Sequence, residues 1–119
     1  MSGIPYWRIN SGIEVLMAFY SLANLADLHD GFAAAYNIAG RRLLLLQDEG
    51  EVFVIENRCP HMDAPLASGK ITQGAIVCRA HGIAFDLRNG RARGPLADTL
   101  DCLRFFPVVY AGNKLGVDI

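Results

Sequence analysis

Ile13, Val15, Met17 and Phe19 repeat with a period of two, the spacing of a strand with one buried face. Next, Ser21 precedes Leu22, Leu25, Ala26 and Leu28, and Gly31 lies just beyond. That order predicts a short helical turn capped by Ser21. Arg42 to Gln47 and Glu51 to Glu56 form two strand-like runs around Asp48-Glu49-Gly50, a hairpin signal. At the other end, Leu103 to Ala111 and Lys114 to Asp118 predict a closing pair of strands across Gly112-Asn113.

Between these runs the texture changes. From Asn57 to Pro95 a glycine or proline interrupts the chain every few residues, and the apolar runs shrink to triplets such as Ala75-Ile76-Val77. Loops held on a scaffold read this way, and such loops commonly carry binding groups. No long 3.6-residue periodicity, internal repeat or low-complexity tract occurs. The expected class is all-β: a small antiparallel sandwich or barrel with a loop-rich lobe at about residues 57–95. Residues 1–16 stand as an N-terminal extension before a domain at 17–119, with Tyr6 and Trp7 expected to pack the extension onto it.

Composition sharpens this. The chain has 119 residues, 52% hydrophobic and 19% charged, which suits one folded domain. Its net charge of −1 gives no general attraction to nucleic acid. Three cysteines, an odd number, do not suggest a secreted disulfide framework. No signal-peptide pattern opens the chain, and the apolar window from Ile13 to Leu28 is interrupted by Glu14, Asn24 and Asp27. A cytoplasmic protein is therefore expected.

Chemistry concentrates in the loop-rich segment. Cys59-Pro60-His61 is followed by sixteen residues and then by Cys78-Arg79-Ala80-His81. Each arm pairs a thiolate donor with an imidazole. Four such ligands suit tetrahedral zinc, but zinc fingers usually pair like with like in each arm. One thiol and one imidazole per arm also permits division between two metal ions, with Cys59 and Cys78 on one and His61 and His81 on the other. Both readings stand at this level.

The run Cys59-Pro60-His61-Met62-Asp63-Ala64-Pro65-Leu66-Ala67-Ser68-Gly69, continued by Cys78-Arg79-Ala80-His81-Gly82-Ile83-Ala84-Phe85-Asp86, resembles the Rieske iron–sulfur signature. It is most similar to that of small Rieske-type ferredoxins serving bacterial oxygenases, and the similarity extends over about Ala18 to Ile119. The resemblance implies one [2Fe–2S] cluster held by Cys59, His61, Cys78 and His81, on two loops above a β-rich base. A third, proline-containing loop would match Gly94-Pro95. Neutral imidazoles in place of two thiolates make the cluster easier to reduce, and Rieske centres span roughly −150 to +300 mV.

Respiratory Rieske proteins add a disulfide and two hydroxyl donors around the cluster. The corresponding positions here are Ala64, Ala80, Ile83 and Phe85. Fewer donors imply a potential toward the low end. The outer ring nitrogens of His61 and His81 would couple proton and electron affinity and mark the electron's exit, bordered by Met62, Leu66 and Pro95. Residues 57–95 carry a charge balance of +4, leaving −5 for the remainder, so an acidic partner surface is expected.

Cys102 reads as a small core thiol and His29 as an exposed loop residue. They are too few to build a mononuclear iron oxygenase site beside the cluster. The resemblance implies a monomeric, non-catalytic electron carrier between an NAD(P)H-dependent flavin reductase and a terminal oxygenase. The small subunit of a nitrite-reductase-like complex and a structural zinc protein are the alternatives.

Overall fold

Leu43, Leu44, Leu45 and Leu46 are all fully buried, and together they organise the molecule. Four consecutive buried residues on a strand require apolar partners on both of its faces. Leu44 and Leu46 point into one core with Ile55, Leu66, Ile76, Phe85 and Leu87. Leu43 and Leu45 point into another with Leu22, Val54, Phe106, Leu115 and Val117. The central sheet is thus sandwiched between a second sheet and a loop-rich lobe.

The computed structural model describes residues 3–61, 63–95 and 97–119, with side chains at all of these but 10 and 15. Its strands are β1 (Ile4–Asn10), β2 (Ile13–Asn24), β3 (Ala33–Ile38), β4 (Arg41–Asp48), β5 (Glu51–Glu56), β6 (Lys70–Thr72), β7 (Ala75–Val77), β8 (Ala84–Asp86), β9 (Phe105–Phe106), β10 (Val108–Ala111) and β11 (Lys114–Asp118). They form three antiparallel sheets, in the orders β1-β2-β11-β10, β3-β4-β5-β9 and β6-β7-β8. The all-β expectation holds. No described helix is long and apolar enough to cross a membrane.

The expected hairpin is present, with Asp48 opposite Glu51. Glu49 and Gly50 both have positive φ, 51° and 78°, the backbone of a type I′ turn. The expected turn of helix after Ser21 is not formed. β2 continues to Asn24 because β11 pairs with it there, Leu115 opposite Ala23 and Lys114 opposite Asn24. Only a single 3₁₀ turn, Leu25–Asp27, follows. A few apolar residues cannot offset helix nucleation when a neighbouring strand already offers hydrogen bonds.

The closing pair forms around Gly112-Asn113, but its first strand is split. Phe105 and Phe106 pair with β5 in the central sheet, while Val108 to Ala111 pair with β11 in the outer one. Pro107, which has no N–H to donate, stands where the chain changes sheets. Residues 4–10, within the expected extension, are a strand. They form β1, whose partner β2 runs through the expected boundary at 16/17.

Candidate metal centre

Two loops with the same backbone design carry the four expected ligands. In the first, the Cys59 N–H donates to the Ala64 carbonyl (2.7 Å) and the Cys59 carbonyl accepts from the Asp63 N–H (2.8 Å). In the second, the Cys78 N–H donates to the Ile83 carbonyl (2.9 Å) and the Cys78 carbonyl accepts from the Gly82 N–H (2.8 Å). Each loop turns through a left-handed residue four positions after its cysteine, Asp63 at φ 60° and Gly82 at φ 66°. Each cysteine therefore sits at the base of a closed loop, and each histidine sits two or three residues further along its rim.

Burial separates the two residue types. Cys59 and Cys78 are fully buried in the core beneath the loops. His61 is half-buried and His81 exposed. The two imidazole rings meet edge to face, with centroids 4.8 Å apart and planes at 80°. His61 Nδ1 is buried and has no hydrogen-bond partner among the described residues. A buried ring nitrogen without a partner costs free energy unless something binds it, so this atom suits a metal ligand. Two buried thiols and two paired imidazoles are the donor set that a Rieske-type two-iron group divides between its metals.

The supporting residues were less evident from sequence. Asn57 is buried, and its Oδ1 accepts from the N–H groups of Leu66 (2.8 Å) and Ala67 (2.9 Å). It ties the end of β5 to the far side of the first loop. Its only signal in the sequence is a polar residue placed between a strand and Cys-Pro. Asp63 takes Arg42 and Arg58 at 3.3 Å each, and Arg58 also pairs with Glu56 at 2.8 Å. These exposed pairs orient the loop and add little stability.

Behind the second loop, Asp86 accepts from the Arg88 N–H at 2.7 Å and from Arg93 at 3.2 Å. The Arg88 bond, aided by Arg93, holds its carboxyl below the ordinary aspartate range. A carboxylate with a depressed folded-state pKa stabilises the fold above its unfolded pKa, about 3.9, and that contribution is lost as pH falls through the folded value. The urea midpoint of the native chain should therefore fall more steeply from about pH 5 to pH 3 than that of Asp86→Asn. Equal slopes would show that the Asp86 contacts do not support the lobe.

Several expected positions differ. Leu66 is fully buried in the core and borders no exit, because the Asn57 bridge turns it inward. Pro95 is exposed, and Met62 lies outside the described residues. The segment before Pro95 is tied to β8 by the Phe85–Ala92 bridge and by the Arg93 N–H donating to the Ala84 carbonyl. Cys102 is exposed, not a core thiol; the neighbouring Leu103 takes the inward position. His29 is exposed as expected. Tyr6 bonds to Asp118, but Trp7 is 65% exposed. At the positions matching the respiratory donors, Ile83 packs against the core and Phe85 is fully buried within it.

Comparison with known proteins agrees with this arrangement. Residues 18–106 match the model of the Rieske [2Fe-2S] domain. The chain is 27% identical over 95 residues to the naphthalene 1,2-dioxygenase system ferredoxin component of Pseudomonas aeruginosa, covering 80% of this chain and 89% of that one. The solved Sphingomonas yanoikuyae B1 ferredoxin superposes with a TM-score of 0.74 at 28% identity, covering 85% of this chain and 98% of that one. Apoptosis-inducing factor 3 of Mus musculus is 30% identical over 99 residues, 82% of this chain, which spans 16% of that longer protein. By the matched domain and by the paired loops, the chain belongs to the Rieske [2Fe-2S] family, whose cofactor is a Rieske-type [2Fe–2S] cluster.

Proposed function

We propose that this chain is a one-electron carrier, a Rieske ferredoxin that passes electrons from an NAD(P)H-dependent flavin reductase to a terminal oxygenase and performs no catalysis itself. One observation carries the reading: the thiols of Cys59 and Cys78 lie fully buried, while the paired imidazoles of His61 and His81 lie at the surface end of the same site. Cys59, His61, Cys78 and His81 would hold the group, with His61 bonding through its buried Nδ1. When bound, the cluster supplies one electron at a time within roughly −150 to +300 mV. The buried cysteines shield the inner side from water. The histidine edge is the short path to a partner, which docks beside His61, His81 and Pro95.

An EPR-monitored redox titration of the purified holoprotein tests this. A rhombic [2Fe–2S] signal that appears on uptake of one electron per chain is expected, with a midpoint in the lower part of the family range. A colourless, EPR-silent zinc protein would overturn the proposal.

The low potential follows from Ile83 and Phe85, which pack as hydrocarbon where a hydroxyl would otherwise donate. Ile83→Ser should raise the midpoint. A hydrogen bond to a charged acceptor is worth about 1.5–3 kcal/mol. At ~59 mV per 1.4 kcal/mol for one electron, that bounds the rise near 60–130 mV. An unchanged midpoint would mean that the new hydroxyl faces away from the cluster.

Charge at the docking face is largely neutralised within the chain. Arg58, Arg91 and Arg93 pair with Glu56 and Asp63, Asp98, and Asp86 respectively. Arg79, exposed and two residues before His81, makes no ion pair among the described residues. Lys70 and Arg88 are likewise exposed without an ion pair among the described residues. Arg79 is the one within the cluster loop beside His81 and is placed to meet an acidic partner. Electron transfer to the oxygenase should slow with added salt, and Arg79→Glu should lower the association rate several-fold at low ionic strength. A rate indifferent to both would exclude steering by this residue.

A further inference from the structure

β1 is the outermost strand of its sheet, paired with β2 on one side and open on the other. Asn10 and Ile13 flank the two-residue Ser11-Gly12 turn. The residues flanking such a turn exchange hydrogen bonds, so alternation along the ladder directs the backbone of Arg8, Tyr6 and Ile4 toward β2. The backbone of Pro5, Trp7 and Ile9 faces the open edge. Pro5 has no N–H and occupies an outward position, where the internal ladder loses nothing. No backbone bond among the described residues engages Trp7 or Ile9 on that side.

Several side chains of this hairpin are apolar and exposed. The face of β2 that carries Tyr20 and Leu22 into the second core continues through Ala18 and Leu16. By register, Pro5 and Trp7 stand beside these two, and Ile9 beside Glu14. This continuation lies open: Trp7 is 65%, Ile9 73% and Leu16 56% exposed. On the opposite face Ile4 and Ile13 are 67% and 66% exposed. The radius of gyration, 15.0 Å, exceeds the ~13.5 Å of a compact chain of this length, in keeping with a projecting hairpin. On the first face alone, Trp7, Ile9 and Leu16 expose on the order of 400 Å², within the roughly 300–600 Å² of the largest patch on a typical monomer.

We propose that β1 is a homodimerisation edge, on which two copies pair antiparallel about Trp7. In that register each Trp7 exchanges two hydrogen bonds with the Trp7 of the second copy. Each Ile9 N–H donates to the other copy's Pro5 carbonyl, which asks nothing of the proline nitrogen. The side chains of Trp7, Leu16 and Ile9 from both copies then cover one another. A second copy suits this edge electrostatically as well. The hairpin carries one cation, Arg8, and one anion, Glu14, and the chain's net charge of −1 opposes association only weakly. The apolar area of that face together with the strand backbone falls below the ~800 Å² per partner of a standard interface, so the pairing is weak and depends on concentration. The central sheet lies between this sheet and the cluster lobe, so the docking face at His61 and His81 stays open. A dimer replaces the monomer expected from sequence.

Sedimentation velocity on the full holoprotein, from low-micromolar to several hundred micromolar, tests the proposal. The mass should rise toward twice the 13.0 kDa of one chain. Trp7 is the sole tryptophan, so its emission should shift to the blue over the same range. Ile9→Pro removes an N–H that β2 does not use, and Trp7→Glu places charge at the centre. Both should be monomeric with an unchanged cluster spectrum. A native chain that stays at the monomer mass with unshifted Trp7 emission overturns the proposal, including the case where Trp7 instead engages the oxygenase. A dimer that survives both substitutions also overturns it.

Discussion

Cys78→Ser is expected to leave the purified chain without iron–sulfur absorption or EPR signal, whereas Cys102→Ser keeps both at the native level. Cys78 is fully buried, and two backbone hydrogen bonds close its loop around it. A hydroxyl there neither ionises as readily as a thiol nor offers soft sulfur to iron. Cys102 is exposed and outside both cores. The loss should also be structural. A group bound only by the native state stabilises it, and the cluster would link two loops that otherwise meet through apolar packing. An unpaired hydroxyl left in that core costs a further ~1–3 kcal/mol. A fall in Tm of about 10 °C or more corresponds to ~2–3 kcal/mol at this chain length. Iron quantification and calorimetry on both variants decide it: a Cys78→Ser chain with full iron content would remove Cys78 from the ligand set.

The contrast between Cys78 and Cys102 also shows where sequence reading succeeds. A Cys-x-His and a Cys-x-x-His arm at close spacing is a chemical pattern, and chemistry fixes residue types whatever the packing. The central hairpin was equally legible, because two strand-like runs flank Asp48-Glu49-Gly50, whose glycine suits a tight reversal. What escaped was set by tertiary partners. Ser21 to Ala23 stay extended because β11, more than ninety residues on, pairs with them. Leu103 rather than Cys102 turns inward because Leu103 bonds back to the Gly90 carbonyl. Leu66 is buried because Asn57, nine residues earlier, captures its N–H. The turns at Ser11-Gly12, Ala39-Gly40 and Gln73-Gly74 adopt the same double positive φ as Glu49-Gly50 without the Asn or Asp that usually announces it.

Gly69→Ala is expected to destabilise the chain more than any substitution at an open turn glycine, although Gly69 has an ordinary φ. A Cβ at Gly69 would stand 2.5 Å from the Val77 carbonyl and 3.0 Å from that of Leu66. Both are backbone atoms, so neither can swing aside as a side chain does. The Gly69 N–H already bonds to the Leu66 carbonyl, and Lys70 pairs with Val77, so the two segments are held together from both sides. Relief requires β7 to retreat, and Cys78 is the next residue after Val77. Overpacking of this kind costs about 1–3 kcal/mol in a well-packed site, and the shift falls on a cluster ligand. Gly112 supplies the comparison. Its φ is +61° and no atom lies within 4 Å of an added Cβ, so Gly112→Ala meets only the left-handed penalty of about 1–2 kcal/mol. Urea midpoints should fall for both, but iron content and the EPR line shape should change only for Gly69→Ala. If Gly69→Ala retains native iron content and line shape, β7 can yield without moving Cys78. The close approach at Gly69 would then serve the β6–β7 hairpin alone.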